Sequence, residues 1–190
     1  MGGTVEGLSE SYKFRKNILG GVFMIFVTVG THEQSFERLV RKIDDLKGNG
    51  TIKDKVIIQK GYTDYEPKNC ESYKLIGYEE MQKYINDARI IITHGGPASF
   101  IAPLSIGKIP IVVPRQKEFN EHVNNHQIDF VKQAVSRDNS LIPVYDIEEL
   151  EDKILNYDSI VNKMKENYKS NNKNFCKKLD KEIESLFKVG

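Results

Sequence analysis

Residues 89–115 read RIIITHGGPASFIAPLSIGKIPIVVPR, and the change of pattern within this stretch decides the fold. Ile90, Ile91 and Ile92 run into Thr93 with no polar interruption, as a strand buried on both faces does. His94, Gly95 and Gly96 then turn the chain. Pro97 suits the first helical turn, where its missing N–H is not needed. The segment from Pro97 to Ile106 reads as a helix with Gly107 as its C-cap, and IPIVVP (109–114) returns as a second apolar strand. Two apolar strands joined by a helix make a parallel crossover.

The alternation extends in both directions. Upstream, residues 25–30 are apolar and β-branched, and Phe36, Leu39, Val40, Ile43 and Leu46 follow at helical spacing. KVIIQK (55–60) and YKLIG (73–77) read as short strands, with Met81, Tyr84 and Ile85 on one face of the helix after them. Downstream, EHVNNHQIDFVKQA reads as a helix through Val123, Ile128 and Val131. LIPVY (141–145) is a last strand, and Asp146 is placed to cap the helix beginning IEELEDKIL. The predicted class is α/β, a Rossmann-like doubly wound parallel sheet, which binds ligands at the carboxyl ends of its strands where strand order reverses.

The chain has 190 residues, enough for one domain. Twenty-eight basic and 27 acidic side chains leave a net charge of +1, so no global field recruits nucleic acid. The two cysteines, Cys70 and Cys176, match no metal or redox spacing and fit a reduced compartment. Residues 18–30 follow Lys13, Arg15 and Lys16 and have a signal-peptide look, but their β-branched half reads better as the first buried strand. On that reading Met24 is the natural start, 1–23 a leader, 24–157 the ligand-binding domain and 158–190 a helical segment, as one helix or two. Lys165, Lys169, Lys173 and Lys177 recur every four residues there. They make a solvated face or a stripe that docks near a membrane.

Three clusters carry possible chemistry. In THGGPASF, a helix beginning at Pro97 presents backbone N–H groups, with the Ser99 hydroxyl beside them, as an anion site; a plain tight turn is the alternative. In VTVGTHEQ, Gly30, Thr31 and His32 stand where a strand turns into a helix. In PRQKEFNEHVNNHQ, Arg115 leaves a strand at its carboxyl end, and Glu118, Glu121, His122, Asn125, His126 and Gln127 follow. His122 and His126 are four apart, yet no third metal ligand stands at suitable spacing. The GxGxxG loop of nicotinamide and flavin enzymes is missing, and Gly107-Lys108 is not a phosphate loop.

The segments VTVGT, ITHGGPASF, GKIPIVVPRQ and NEHVNNHQ, in this order, resemble the donor-binding, C-terminal half of a GT-B glycosyltransferase of family 28. Small bacterial capsule and exopolysaccharide subunits are the closest in kind, and the eukaryotic split transferase that extends dolichol-linked chains is similar. The resemblance implies that the donor is a UDP-sugar, with a hexose of the galactose, glucuronic acid or N-acetylglucosamine type. It implies transfer with inversion to a lipid-diphosphate-linked sugar, with no cofactor and no bound metal. His94, Gly95, Gly96, Pro97, Ala98 and Ser99 would hold the diphosphate, supported by Gly30 and Thr31, while Asn125, His126 and Gln127 would face the sugar. Arg115, leaving its strand toward the same crevice, is expected to stabilise charge on the departing UDP, and His122 to line the substrate site. Ala102 stands where some members carry a ribose-binding glutamate, a role that Glu121 or Glu118 would then take over.

The resemblance further implies half an enzyme. The acceptor would sit on a membrane-associated partner subunit, which would also supply the general base unless His32 does. The chain is then cytoplasmic and peripheral at the inner face of the membrane. Two rival readings are a noncatalytic docking subunit of such a transferase and a GT-B-like sugar-nucleotide epimerase. The second needs two domains in one chain and carboxylates that are absent here.

Overall fold

The computed structural model describes residues 23–167. Six strands, β1 (Met24–Thr28), β2 (Lys55–Gln59), β3 (Glu71–Tyr73), β4 (Ile90–His94), β5 (Ile111–Val113) and β6 (Ile142–Pro143), form one sheet in the order β3-β2-β1-β4-β5-β6. Every pair is parallel; Thr28 lies beside Gln59 on one side and Thr93 on the other. The doubly wound expectation therefore holds, and the order reverses between β1 and β4.

Apart from the exposed edge strand β3, the strands are buried on both faces because helices cover both. Ile25, Val27, Ile58, Ile90, Ile92 and Ile111 meet Leu39, Val40 and Ile43 of α1 (Glu37–Gly48) on one face. Leu150 and Ile154 of α5 (Leu150–Leu155) and Tyr157, Val161 and Met164 of α6 (Tyr157–Asn167) complete that cluster. On the other face Phe26, Ile57 and Ile91 meet Ile85 of α2 (Tyr78–Asp87). Beside them Val112 packs with Phe100 of α3 (Pro97–Ser105) and Val131 of α4 (His126–Asp138). At ~25 cal/mol per Å² of apolar surface, this double burial is the main source of stability.

Two elements differ from the sequence reading. The strand expected over 73–77 lies at Glu71–Tyr73, opposite Ile57–Gln59, because an edge strand can pair only along its neighbour's length. Leu75, apolar in the pattern, is 51% exposed. The helix expected from Glu121 begins only at His126, after a 3₁₀ turn over Lys117–Phe119 and a left-handed Asn120. Asn side chains compete for the backbone there: Asn125 Oδ1 accepts from the Lys117 N–H (2.8 Å) and Asn124 Oδ1 from the His126 N–H (3.2 Å). The expected Asp146 cap is present, its Oδ1 accepting from the Glu148 N–H at 3.0 Å on a 3₁₀ turn (Ile147–Glu149) that leads into α5. The described part of the C-terminal segment, α6, packs on the domain; residues 1–22 of the expected leader, and Lys169, Lys173 and Lys177, lie outside the described residues.

Candidate functional site at the switch point

At the carboxyl ends of β1 and β4 the chain departs in opposite directions. From β1 it runs to α1 on one face, and from β4 to α3 on the other. Loops that diverge in this way mark the ligand position expected for such sheets, the mouth of a crevice. His94, Gly95 and Gly96 border it from one side, and Gly30, Thr31 and His32 from the other.

The His94 ring fills the gap between these two loops. A Cβ on Gly30 would lie 2.5 Å from His94 Nε2, and one on Gly96 would press still harder on Cε1. Gly30 also has φ +77°, the left-handed region that favours glycine. The Gly96 N–H donates to His94 Nδ1 at 3.0 Å, so that nitrogen is unprotonated and Nε2 carries the hydrogen. Burial, reinforced by the charge on Arg115, lowers the imidazole pKa to about 4, against a smaller opposing pull from Gln127. His94 is neutral at physiological pH.

The turn is more self-satisfied than its sequence suggests. The Gly95 N–H donates to Gln127 Oε1 (3.0 Å), and the Ser99 N–H to the Gly96 carbonyl (3.0 Å). The Ser99 hydroxyl is shared between the carbonyls of His94 and Gly96. Pro97 has no N–H, and among the described residues the Ala98 N–H has no acceptor. Pro97 and Ala98 are exposed at the first two positions of α3, where the helix dipole presents partial positive charge.

Arg115 corrects the sequence reading most sharply. It is 0% exposed and does not reach into the crevice. Its Nη1 donates to the carbonyls of Gln34 (2.7 Å), Ser35 (3.2 Å) and Glu121 (3.1 Å), and its Nη2 to that of Val29 (2.9 Å). The guanidinium also lies 4.7 Å from the centre of the Phe36 ring, and burial lowers its pKa to about 10 against the pull of Glu121. Glu121, expected to read a ribose, is 3% exposed and already paired. Its oxygens accept from Arg38 Nε and Nη2, both at 2.9 Å, and from the Gln116 N–H at 3.0 Å. Gln127, expected to face a sugar, is 4% exposed and turned inward to the amides of Gly95 and Arg115.

Tertiary structure gathers the histidines in a way the helix reading missed. His122 and His126 do not share a helix face; their rings stack edge to face at 4.3 Å, and His32 stacks on His122 at 4.6 Å. His122 is buried, and burial, followed by the neighbouring charges of His126, His32 and Arg115, lowers its pKa. His32 Nδ1 accepts the Gln34 N–H at 3.1 Å, which leaves Nε2–H as a donor. With its lone pair engaged by a backbone amide, His32 is not poised as a base in this arrangement. Arg38 was missed altogether: it pairs with Glu121 across 83 positions, a separation no local pattern encodes.

Residues 24–183 match the model of a family described as the glycosyltransferase family 28 C-terminal domain. A human protein, UDP-N-acetylglucosamine transferase subunit ALG13 (Homo sapiens), is 33% identical over 121 residues, covering 57% of this chain and 10% of its own. The chain thus spans about a tenth of the length of that curated relative. Among solved structures, one described as the glycotransferase of kitacinnamycin is similar with a TM-score of 0.51 and 12% identity. That match covers 77% of this chain and 38% of the other, and it concerns the fold alone.

Proposed function

The chain belongs to the glycosyltransferase family 28 C-terminal domain family, and from that premise we propose that it is the donor-binding subunit of a UDP-sugar-dependent transferase. Its Rossmann-like sheet forms one half of a GT-B architecture, and the human relative is itself named as a subunit. One observation carries the reading: at the β1/β4 switch point the His-Gly-Gly turn leads into the exposed N-terminus of α3. A helix N-terminus favours a diphosphate over neutral ligands, by electrostatics and by its free N–H groups. Gly30, Thr31, Pro97 and Ala98 border that position, with His126 and Asn125 nearer the sugar.

The proposed reaction is inverting hexosyl transfer. A hydroxyl of a lipid-diphosphate-linked sugar attacks the anomeric carbon, the bond from that carbon to UDP breaks, and UDP leaves with the electron pair. The α3 dipole lowers the energy of the charge developing on UDP. The hydroxyl proton goes to a base on a membrane-associated acceptor-binding subunit, since the His32 lone pair is engaged. Assembly of capsule or exopolysaccharide is the setting we propose, with the chain peripheral on the inner face of the membrane through its partner. No helix among the described residues is long and apolar enough to cross a membrane.

Calorimetry on the full chain tests donor binding. UDP should bind and UDP-sugars should compete with it, while a folded chain that takes up no UDP overturns the proposal. A panel of UDP-sugars assayed with the co-expressed partner then identifies the hexose. The engaged His32 lone pair favours one second reading, a noncatalytic docking subunit. If Gly96→Val leaves turnover by the assembled complex unchanged, that second reading replaces the first.

A further inference from the structure

The carboxyl edge of the sheet is held together by one buried cation. The Arg115 guanidinium collects carbonyls from the end of β1 (Val29), from the β1–α1 loop (Gln34, Ser35) and from the β5–α4 loop (Glu121). The backbone N–H of Arg115 and that of Gly95 share Gln127 Oε1, at 3.1 and 3.0 Å, which joins the His-Gly-Gly turn to the main chain of the same residue. Glu121 returns its carboxylate to Arg38 and to the Gln116 N–H. All three loops that border the crevice are therefore wired to position 115.

The arrangement is a costly one for stability alone. Of the five buried side-chain polar atoms with no partner among the described residues, four lie in this junction: Gln34 Oε1, Ser35 Oγ, Arg38 Nη1 and Arg115 Nε. Buried unpaired donors and acceptors are expensive, and an apolar side chain often holds such a space at lower cost. What a guanidinium adds is orientation, through a planar fork of fixed donors that an ammonium cannot reproduce.

We infer that Arg115 is a positioning residue, which sets the separation of the β1–α1 loop from the His-Gly-Gly turn and thereby the geometry of the donor crevice. The inference rests on the donor-binding reading but makes a different claim, namely that Arg115 acts through these loops without touching the ligand. The test uses the full chain with Arg115→Lys, Arg115→Met and Gln127→Leu, measuring thermal midpoint, UDP affinity by calorimetry, and amide hydrogen exchange without ligand.

Arg115→Met leaves the carbonyls of Val29, Gln34, Ser35 and Glu121 without their donor, so the thermal midpoint should fall, and at temperatures where the variant is folded it should bind UDP at least tenfold more weakly. Arg115→Lys should show the same weakening despite keeping the charge. In both, exchange should accelerate together at residues 29–35 and at 116–121, the segments whose carbonyls the guanidinium holds, while the Gly95 N–H keeps its bond to Gln127. Should an Arg115 variant fail to fold, Gln127→Leu keeps the cation, removes the acceptor that the Gly95 and Arg115 backbone N–H groups share, and should show a comparable loss. A folded variant that binds UDP as tightly as the wild type overturns the inference. So does exchange that changes only at 116–121. Absence of UDP uptake by the wild-type chain would instead overturn the donor reading, while the ligand-free exchange still decides whether position 115 couples the loops.

Discussion

At the scale of single residues, His94 and the glycines around it make the sharpest predictions. An imidazole in an unfolded chain titrates near 6.5, whereas His94 does so at about 4 in the fold. Between those values the unfolded chain holds a proton that the native chain lacks. Stability is therefore full above pH 6.5 and falls as pH drops toward 4, by up to ~3 kcal/mol from this residue. His122, also lowered, adds in the same direction. Urea unfolding at pH 7 and pH 4.5 should show a smaller loss for His94→Asn, whose Oδ1 can still accept from Gly96. A second test compares two left-handed glycines. Gly107, with φ +76°, has nothing within 4 Å of an added Cβ, so Gly107→Ala should cost only the backbone term of about 1–3 kcal/mol and leave UDP affinity unchanged. Gly30→Ala adds a collision with the His94 ring and should lose both more stability and UDP binding, as denaturant titration and calorimetry on the pair will show.

At the scale of elements, the β5–α4 connection shows how a polar segment can be structural. Its sequence, crowded with Glu, Asn, His and Gln, suggests a ligand-facing helix. In the fold Glu121 faces Arg38 of α1, with the two side chains 4% and 13% exposed. Glu121→Ala leaves a buried guanidinium without its carboxylate and should destabilise by about 3–5 kcal/mol in thermal or chemical unfolding. Any loss of UDP binding should track that destabilisation across temperature, which separates a packing role from ribose contact. Asp146→Ala, which removes the 3₁₀ cap, should cost ~1 kcal/mol with no effect on UDP.

At the scale of the whole molecule, the two ends of the sheet have separable work. The carboxyl end carries the crevice. At the amino end Arg89 pairs with Asp54 of the loop before β2 and with Asp158 of α6. Arg89→Met leaves the 4%-exposed Asp54 carboxylate without this partner and should cost about 3–5 kcal/mol, measured by denaturant unfolding. The same variant should bind UDP like the wild type at temperatures where both are folded, because the site lies at the opposite edge.

Much of this protein was legible in one dimension. Runs such as Ile90–Ile92 and Ile111–Val113 announce strands buried on both faces, and Gly-Gly-Pro after His94 announces a turn into a helix; both are consequences of backbone sterics and local burial pattern. The parallel sheet, its switch point and the location of the crevice follow from that alternation. What the pattern left open was the direction in which polar side chains point. Arg115, Glu121 and Gln127 stand in a polar stretch at the mouth of the site, yet each turns inward to partners such as Val29, Arg38 and Gly95. Edge strand β3 and the late start of α4 were likewise set by a neighbouring strand's length and by Asn side chains on the backbone. Local sequence determined which segments become strands and helices, because φ/ψ preference and hydrophobic period act over a few residues. Only the tertiary structure decided which polar groups meet ligand and which hold the loops, because that choice depends on carbonyls and charges that arrive from across the chain.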